Sequence, residues 1–316
     1  MVEATGVVPE GRITSKCAGI WNDEQAAAFK KIVDFVHQNS ETQIGIQLAH
    51  AGRKASTWNG VQTDDETSWE TVAPSPIPYK PGERTPHELT VEEIRNLIAD
   101  FKNAAKRALE AGFNLIEIHA AHGYLLSTFI SPVSNVRTDN YGGSLENRMR
   151  YPLEVLKAMR AVWPDEKPMS VRISANDWVG DDGVTPDEAI VIARMFADAG
   201  ADLIDVSAGQ TTVEAKPVYG RMFQTPFSDR IRNEAGLTTM AVGNIFEADH
   251  ANSILMAGRA DLVAVGRPHL TDPYWTLHEG AKISDRAAPD WPLPYLAGRD
   301  QLWRLADKNA ETVGKV

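Results

Sequence analysis

Two histidines and a tyrosine stand close together where an apolar run of the sequence stops. His119, His122 and Tyr124 belong to the segment IHAAHGYLLSTF, at the end of the run at residues 115–120. Imidazoles can donate hydrogen bonds, accept protons or bind metals, and a phenol with an ordinary pKa of about 10 is a weak acid. The spacing therefore allows a metal site, an acid–base pair or a hydrogen-bonding grip on a ligand.

Polar and glycine residues follow the other apolar runs in the same way. The residues at these ends are Gln47, His50, Arg172, Ser207, Gly209, Gly243, Asn244, Gly266 and Arg267. A hard metal ion prefers several Asp or Glu oxygens, and a glycosidase needs paired carboxylates, which these ends lack. We therefore expect no metal, although zinc on His119, His122 and His50 is the alternative.

The last two runs end in residues that suit an anion. Gly243 ends one run, and Gly266 with Arg267 ends the next. Glycines let the backbone approach a phosphate, and arginine adds a forked donor, although turn glycines and a surface charge are the alternative. With Gln47 and Arg172 they would suit a ring of carbonyls and nitrogens with a phosphate tail. Flavin mononucleotide (FMN) fits that description.

Short apolar runs alternate along the chain with amphipathic stretches of helical length. The runs that predict strands are residues 2–8, 44–49, 115–120, 169–175, 203–208, 239–243 and 262–266. Capping patterns at Asn22, Thr90 and Thr185 predict helix starts. Gly112 and Gly200 predict helix ends. This alternation predicts parallel strands joined by right-handed crossovers.

The predicted fold class is an α/β fold, a TIM (β/α)8-type barrel. Eight strands close such a barrel and the sequence supplies seven, so we expect the first βα unit to be lacking. A doubly wound open sheet is the alternative, but no G-x-G-x-x-G follows any of the runs. We expect one barrel domain over residues 1–316, a fragment of a longer chain, with residues 279–316 as a C-terminal extension.

Composition argues against several classes of partner. The formal net charge of −11 over 316 residues disfavours nucleic acid, which needs clustered Lys and Arg. No apolar run approaches the roughly 18 residues of a membrane span. The start MVEATGVVPEGR lacks the basic and apolar regions of a signal peptide. Cys17 is the only cysteine, which excludes an internal disulfide and favours a cytoplasmic location.

Longer segments of the sequence resemble one known family. They are GIQLAHAGRKAS, IHAAHGYLLSTFISPVSNVRTDNYGGSLENRMRYPLEV, SVRIS and ADLVAVGRPHLTDP. These resemble the Old Yellow Enzyme family of NADH:flavin oxidoreductases, in its bacterial branch with His-x-x-His. A finer similarity joins DLIDVSAGQTT and AKPVYGRMFQTPFSDRIRNEAG to the reductase domain of bifunctional 2-aminobenzoyl-CoA monooxygenase/reductases and to salicylyl-CoA 5-hydroxylases.

The resemblance implies roles for the matching residues. Those implied to contact FMN are Ala4, Gln47, Arg172, Gly243, Gly266 and Arg267. His119 and His122 would donate hydrogen bonds to a substrate carbonyl oxygen, where they stabilise developing negative charge. Tyr124 would protonate the α-carbon after hydride has reached the β-carbon of the alkene.

The implied activity is that of an FMN-dependent NAD(P)H oxidoreductase of the ene-reductase type, with NADH or NADPH as electron donor. The substrate would be a small enone or an acyl-CoA, such as a dearomatised aminobenzoyl-CoA or salicylyl-CoA product. Arg53 and Lys54 would then form a basic entrance for CoA, and the chain would be a homo-oligomer or associate with a flavin hydroxylase domain. The alternatives are a non-catalytic barrel remnant that serves as a scaffold, and a flavin-free lyase with His119 or His122 as base.

Overall fold

The structure, a computed structural model, describes residues 1–282 and 291–313 of the chain. The strands in these ranges are β1 Val2–Gly6, β2 Gly45–Ala49, β3 Thr57–Trp58, β4 Val61–Gln62, β5 Val72–Ala73, β6 His87–Glu88, β7 Leu115–Ala120, β8 Met169–Ser174, β9 Leu203–Ser207, β10 Thr239–Ala241 and β11 Leu262–Val263. The α-helices are α1 Asp23–Asn39, α2 Val91–Glu110, α3 Leu125–Ile130, α4 Leu145–Arg160, α5 Pro186–Asp198, α6 Thr225–Ala235, α7 Ala248–Met256, α8 Arg267–Thr271, α9 Trp275–Lys282 and α10 Leu296–Val313.

Seven strands form one parallel sheet in the order β1-β2-β7-β8-β9-β10-β11, which is their order along the chain. This consecutive order belongs to a (β/α) barrel, because a doubly wound sheet reverses its strand order at a switch point. The barrel-type fold is therefore confirmed, and each predicted run contains one of these seven strands. β1 and β11 form the two edges of the sheet. That a further βα unit lies between them stays a prediction.

The helices start at the predicted caps. In the capping box of α2, Thr90 Oγ1 accepts from the Glu93 backbone N–H at 3.3 Å, and Glu93 Oε2 accepts from the Thr90 backbone N–H at 2.7 Å. Asn22 and Thr185 cap α1 and α5 by accepting a backbone N–H three residues on. Gly112 follows α2 with φ of 92°, which lets the chain turn at once into β7.

The inner face of the sheet carries polar side chains. Side chains alternate between the faces of a strand, so Ile116 and Ile118 of β7 pack under the helices while Glu117 and His119 lie on the other face. The same face of the neighbouring strands contributes Gln47, Ser170, Arg172 and Asp205. A layer of charged and amide groups therefore crosses the inside of the barrel, below its carboxyl-terminal end.

Apolar helix faces cover the outside of the sheet. In α2 the buried residues recur every three or four positions, as expected of an amphipathic helix: Ile94, Leu97, Phe101, Ala104, Ala105 and Ala108. Among the described helices, none combines the length and the hydropathy that a bilayer crossing requires. These outer contacts fix the strands whose ends carry the predicted site.

Candidate active site

A cavity of about 1210 Å³ opens at the carboxyl ends of β8, β9, β10 and β11. Cavities for small ligands usually measure about 300–1,000 Å³, so this one has room for a cofactor and a second small molecule. The predicted site residues that line it are His122, Arg172, Gly243, Gly266 and Arg267. The structure therefore brings together residues from four different strand ends.

His119, His122 and Tyr124 form one cluster of rings beside the cavity. The His119 ring stands edge-on to His122, with centroids 5.1 Å apart, and to Tyr124, with centroids 4.8 Å apart. His122 lines the cavity, and its backbone has φ of 62°. Its N–H donates to Ser174 Oγ at 2.9 Å, and its carbonyl accepts from Lys54 Nζ at 2.8 Å. These two contacts hold the left-handed turn that presents the imidazole.

His122 ends a chain of hydrogen bonds that starts at β10. Gln224 Nε2 donates to the Val242 carbonyl at 2.9 Å, so its Oε1 is left to accept from the Ser207 hydroxyl at 3.2 Å. Ser207 Oγ, having donated its proton, accepts from His122 Nε2 at 2.6 Å. The chain therefore assigns the His122 proton to Nε2. A ligand oxygen that accepts a hydrogen bond from His122 Nε2 must therefore compete with Ser207.

Both imidazoles of the cluster are neutral at pH 7. Burial first, then the charges of Arg172 and Lys54, lower the pKa of His119 to about 3. Burial first, then His119, holds the pKa of His122 well below its usual 6.5. His119 Nδ1 accepts from the Ala121 backbone N–H at 3.3 Å, so its Nε2 carries the proton. The pair therefore offers N–H donors, and such low pKa values make weak bases, which argues against a lyase.

Tyr124 is placed to act as an acid rather than as a base. It is the N-cap residue of α3, and its ring lies 5.3 Å from Lys54 Nζ. Burial first, then Cys17 and Tyr79, raise the pKa of Tyr124 to about 12. The phenol therefore keeps its proton at pH 7 and can release it only to a strong base such as an enolate.

Gln47 and Arg172, both predicted to contact FMN, are each paired with a buried carboxylate. Gln47 Nε2 donates to Glu117 Oε1 at 2.7 Å, and Arg172 Nε lies 3.3 Å from Asp205 Oδ2. Arg172 Nε is also buried without a hydrogen bond of good geometry within the described residues. Arg172 lines the cavity, whereas Gln47, which is 6% exposed, and Ala4, on the edge strand β1, are not among its lining residues.

Glu117 and Asp205 were not predicted as partners of the site residues, and Ser207 was predicted only as a polar strand-end residue and not as the partner of His122. A signal was present, since Glu117 and Asp205 are the only charged residues besides histidine in LIEIHA and LIDVSA. Strand alternation puts Glu117 on the face of His119, and Asp205 on the face of Ser207. A charge inside an apolar strand could therefore have been assigned to the barrel interior.

The two glycines predicted to hold a phosphate differ in what the fold demands of them. Gly243 has φ of 114°, and a Cβ there would stand 2.4 Å from Gln224 Nε2. Gly266 has φ of −110°, and a Cβ there would meet nothing within 4 Å. Arg267 follows with an exposed side chain at the start of α8. The fold thus explains Gly243, whereas Gly266 makes open room for a ligand.

The residues present fit FMN. The cavity is large enough, Arg172 brings an incompletely bonded guanidinium to one wall, and glycine backbones with Arg267 line the opposite strand ends. A guanidinium suits the electron-rich edge of a flavin, and glycine backbone suits the close approach of its phosphate. The donor set thus matches both ends of the cofactor.

Arg53 and Lys54 have another role than the predicted one. Arg53 is 3% exposed and donates to the carbonyls of Ile77 at 3.0 Å and Thr211 at 2.6 Å. Lys54 Nζ donates to the carbonyls of His122 at 2.8 Å and Gln210 at 3.1 Å. Both side chains tie the loops around the site together, which contradicts the prediction of a basic CoA entrance.

His50, the third histidine of the zinc alternative, is bound within its own loop. Its Nδ1 accepts from the Gly52 backbone N–H at 3.0 Å, and burial lowers its pKa to about 4. Over residues 1–282 and 291–313, no group of three or more His, Cys, Asp or Glu side chains is arranged to hold a metal ion.

Comparison with known sequences gives consistent relatives. Residues 1–284 match the model of the NADH:flavin oxidoreductase / NADH oxidase family. The chain is 44% identical over 295 residues to an NADPH dehydrogenase of Clostridium acetobutylicum, which covers 93% of this chain and 83% of that protein. It is 45% identical over 275 residues to an NADPH dehydrogenase of a Geobacillus species, covering 87% and 76% of the two chains.

Solved structures are similar in the same region. Morphinone reductase superposes with a TM-score of 0.71 at 28% identity, over 87% of this chain and 76% of that one. The old yellow enzyme homologue from Zymomonas mobilis gives a TM-score of 0.68 at 31% identity, over 86% and 76%. 2-Naphthoyl-CoA reductase gives 0.75 at 26% identity over 86% of this chain, which spans 42% of that longer protein.

Proposed function

Because the chain belongs to the NADH:flavin oxidoreductase / NADH oxidase family, with an Old Yellow Enzyme-type barrel, FMN as cofactor and NAD(P)H as electron donor, we propose that it reduces an alkene conjugated to a carbonyl. One structural observation is the main support for this reaction. Two neutral imidazoles and a protonated phenol form one cluster of rings, in which His122 lines the cavity that also holds Arg172 and the glycine strand ends. Such a set stabilises an oxyanion and delivers one proton.

FMN, when bound, supplies hydride to the alkene with electrons taken from NADH or NADPH. Gln47 and Arg172 are proposed to bind its pyrimidine edge, and Gly243, Gly266 and Arg267 its phosphate. Ala4, on β1, is proposed to lie against the ring. These assignments follow the family resemblance, and the positions of Arg172, Gly243, Gly266 and Arg267 around one cavity support four of them.

His119 and His122 are proposed to hold the substrate carbonyl oxygen through their Nε2–H groups. His119 Nδ1 accepts from its own backbone turn, and its Nε2–H makes no hydrogen bond within the described residues, so it is the donor without a competitor. His122 must first leave Ser207, 2.6 Å away. After hydride has reached the β-carbon of the alkene, Tyr124 is proposed to give its proton to the α-carbon of the substrate. Preorganised neutral donors favour the charged oxygen of the transition state over the neutral carbonyl.

We also propose that a further βα unit closes the sheet between β1 and β11. Within the described residues, β1 and β11 are the edge strands, the outer side of β1 pairs only through a bridge from Gly6 to Gly19, and Leu262, on β11, is 50% exposed. Barrels of this type close with eight strands. A single barrel domain over residues 1–316, with an extension at 279–316, would then need that unit for full flavin affinity. Fusing a family first unit to residue 1 should raise FMN occupancy, and unchanged occupancy would contradict this proposal.

The substrate is proposed to be a small enone, with an acyl-CoA thioester as the second candidate. The structural similarity to 2-naphthoyl-CoA reductase supports the thioester, and so would the sequence resemblance to the reductase domain of 2-aminobenzoyl-CoA monooxygenase/reductases, which stays a prediction. Aromatic side chains of Tyr219, Phe246 and Trp275 on the cavity wall could pack on either one. A homo-oligomer, a flavin hydroxylase partner and a cytoplasmic location stay predictions.

Separate half-reactions test this function. The FMN-loaded chain is reduced anaerobically with NADPH or NADH and then mixed with 2-cyclohexen-1-one in a stopped-flow instrument. Recovery of flavin absorbance with formation of cyclohexanone is expected, and a thioester of an unsaturated acid serves as the second acceptor. Reduction without reoxidation by either acceptor would contradict the proposed reaction. No reduction at all would favour the scaffold alternative.

A further inference from the structure

We propose that Glu117 and Asp205, two carboxylates buried inside the barrel, are positioning residues for the flavin site. In this assignment Glu117 orients Gln47, and Asp205 orients Arg172 and offsets its positive charge. The two carboxylates are called the acidic pair below. The inference rests on the proposed function, because it concerns the groups that face the flavin ring there.

Each carboxylate of the acidic pair lies beside the residue it is assigned to position, on the neighbouring strand. Glu117 pairs in register with Gln47 on one side and Ser170 on the other. Its two oxygens accept from Gln47 Nε2 at 2.7 Å and from Ser170 Oγ at 2.9 Å. The hydrogen bond to Glu117 fixes the orientation of the Gln47 amide, because it holds Nε2 against the carboxylate. The amide oxygen of Gln47 takes no part in that bond.

Asp205 is the neighbour of Arg172, as Glu117 is the neighbour of Gln47. The two residues are in register on β9 and β8, with Asp205 Oδ2 3.3 Å from Arg172 Nε. Asp205 is 2% exposed, and its Oδ1 is buried without a hydrogen-bond partner in the described part of the chain. A buried carboxylate with an unsatisfied oxygen costs stability, so its presence calls for a role other than folding.

The charges in this layer are unequal. Glu117 and Asp205 face a single guanidinium, Arg172, and the nearby His119 and His122 are neutral. Burial first, then Glu117, raise the pKa of Asp205 to about 8, while Arg172 lowers it, so Asp205 offsets the charge of Arg172 fully only above that pH. The charge on Asp205 therefore sets how much of the positive field of Arg172 reaches the cavity, because the low dielectric of the interior screens such charges little.

This arrangement has two separable consequences. Loss of the Asp205 charge leaves Arg172 less compensated, and the stronger positive field favours the reduced, more electron-rich flavin ring. Loss of the Glu117 charge weakens a charge-assisted hydrogen bond to Gln47, so the amide is held less firmly for the ring edge. Asp205 is thus assigned mainly to the flavin potential, and Glu117 mainly to flavin affinity.

The test compares Asp205→Asn, Glu117→Gln and the control Thr239→Val with the wild-type full chain. Thr239 is buried on β10, and its hydroxyl makes no hydrogen bond within the described residues, so it holds neither carboxylate. The midpoint potential of bound FMN is measured by anaerobic dye titration, the FMN dissociation constant by fluorescence quenching, and folding of the apoprotein by circular dichroism. At about pH 9, where Asp205 is ionised, we expect a more positive potential in Asp205→Asn, an FMN dissociation constant raised by about tenfold in Glu117→Gln, and wild-type values for both in Thr239→Val.

The outcomes separate the inference from the function on which it rests. A wild-type chain that binds FMN and is reduced by NAD(P)H, with unchanged potential in Asp205→Asn and unchanged affinity in Glu117→Gln, overturns the inference alone. Equal shifts in Thr239→Val overturn it too, because they indicate a general packing effect. A wild-type chain that does not bind FMN overturns the proposed function as well. If Asp205→Asn does not fold, the affinity of Glu117→Gln decides.

Discussion

Replacing Gly266 by alanine should lower FMN affinity while it leaves the stability of the apoprotein nearly unchanged. A Cβ at Gly266 would meet nothing within 4 Å, and its φ of −110° is open to residues other than glycine. The stability of the apoprotein should therefore change by less than about 1 kcal/mol. The same methyl group would stand where a phosphate is proposed to approach the backbone between β11 and α8.

The expected loss of affinity follows from one charge-assisted hydrogen bond. Hydrogen bonds to charged groups contribute about 1.5–3 kcal/mol, so losing one from a backbone N–H to phosphate should weaken FMN binding between about 10- and 150-fold. Fluorescence quenching of FMN on titration with apoprotein measures the dissociation constant. Urea unfolding of the same sample, without FMN, measures stability.

Gly220→Ala is the matched control. Gly220 also lines the cavity and a Cβ there also meets nothing within 4 Å, but no phosphate contact is assigned to it. Its FMN affinity should equal that of the wild type. Wild-type FMN affinity in Gly266→Ala would refute the placement of the phosphate at the end of β11. Equal losses in both variants would mean that the methyl groups act on the cavity in general.

Three further predictions concern the histidines. His119→Phe removes the uncontested Nε2–H donor and should slow reoxidation of the reduced enzyme by an enone about 10²-fold or more, whereas a wild-type rate would exclude an oxyanion role. Ser207→Ala frees His122 from a competing hydrogen bond worth about 1 kcal/mol and should lower the enone KM about fivefold with little change in kcat, whereas a raised KM would show that Ser207 assists binding. His50 has a folded-state pKa of about 4 against 6.5 unfolded, so as pH falls the unfolded chain takes up the proton first and stability is lost between these values. His50→Asn should therefore lose about 2 kcal/mol less unfolding free energy than the wild type between pH 7 and pH 5, with the exposed His37→Asn as control; urea titrations that show equal losses in all three proteins would contradict this.

Strand and helix positions could be predicted because local signals were strong. The capping box at Thr90 and Glu93 and the C-terminal Gly112 act through neighbouring backbone groups, which the sequence alone displays. Consecutive strand order then follows from the βα alternation. The observed strands nevertheless end one to three residues earlier than some predicted runs, as at β11, because apolar residues continue after the pairing stops.

Several residues that line the cavity could be predicted from the sequence, but the contacts between the side chains could not. The sequence pointed to His122, Arg172 and the glycine strand ends, which do line one cavity. Long-range contacts such as Asp205 with Arg172 and Ser207 with His122 depend on register between strands, which no short motif encodes. The prediction for Arg53 was wrong for a different reason. A charged residue beside the site was expected to be exposed, but the Arg53 side chain is buried and donates to a backbone carbonyl.

The central claim is that this chain builds an FMN site that NAD(P)H can reduce. The most direct measurement is the visible spectrum of the purified protein after incubation with excess FMN and desalting, before and after anaerobic addition of NADPH or NADH. The account predicts retained flavin bands that bleach with one of these donors. A colourless protein, or retained flavin that neither donor reduces, would contradict it.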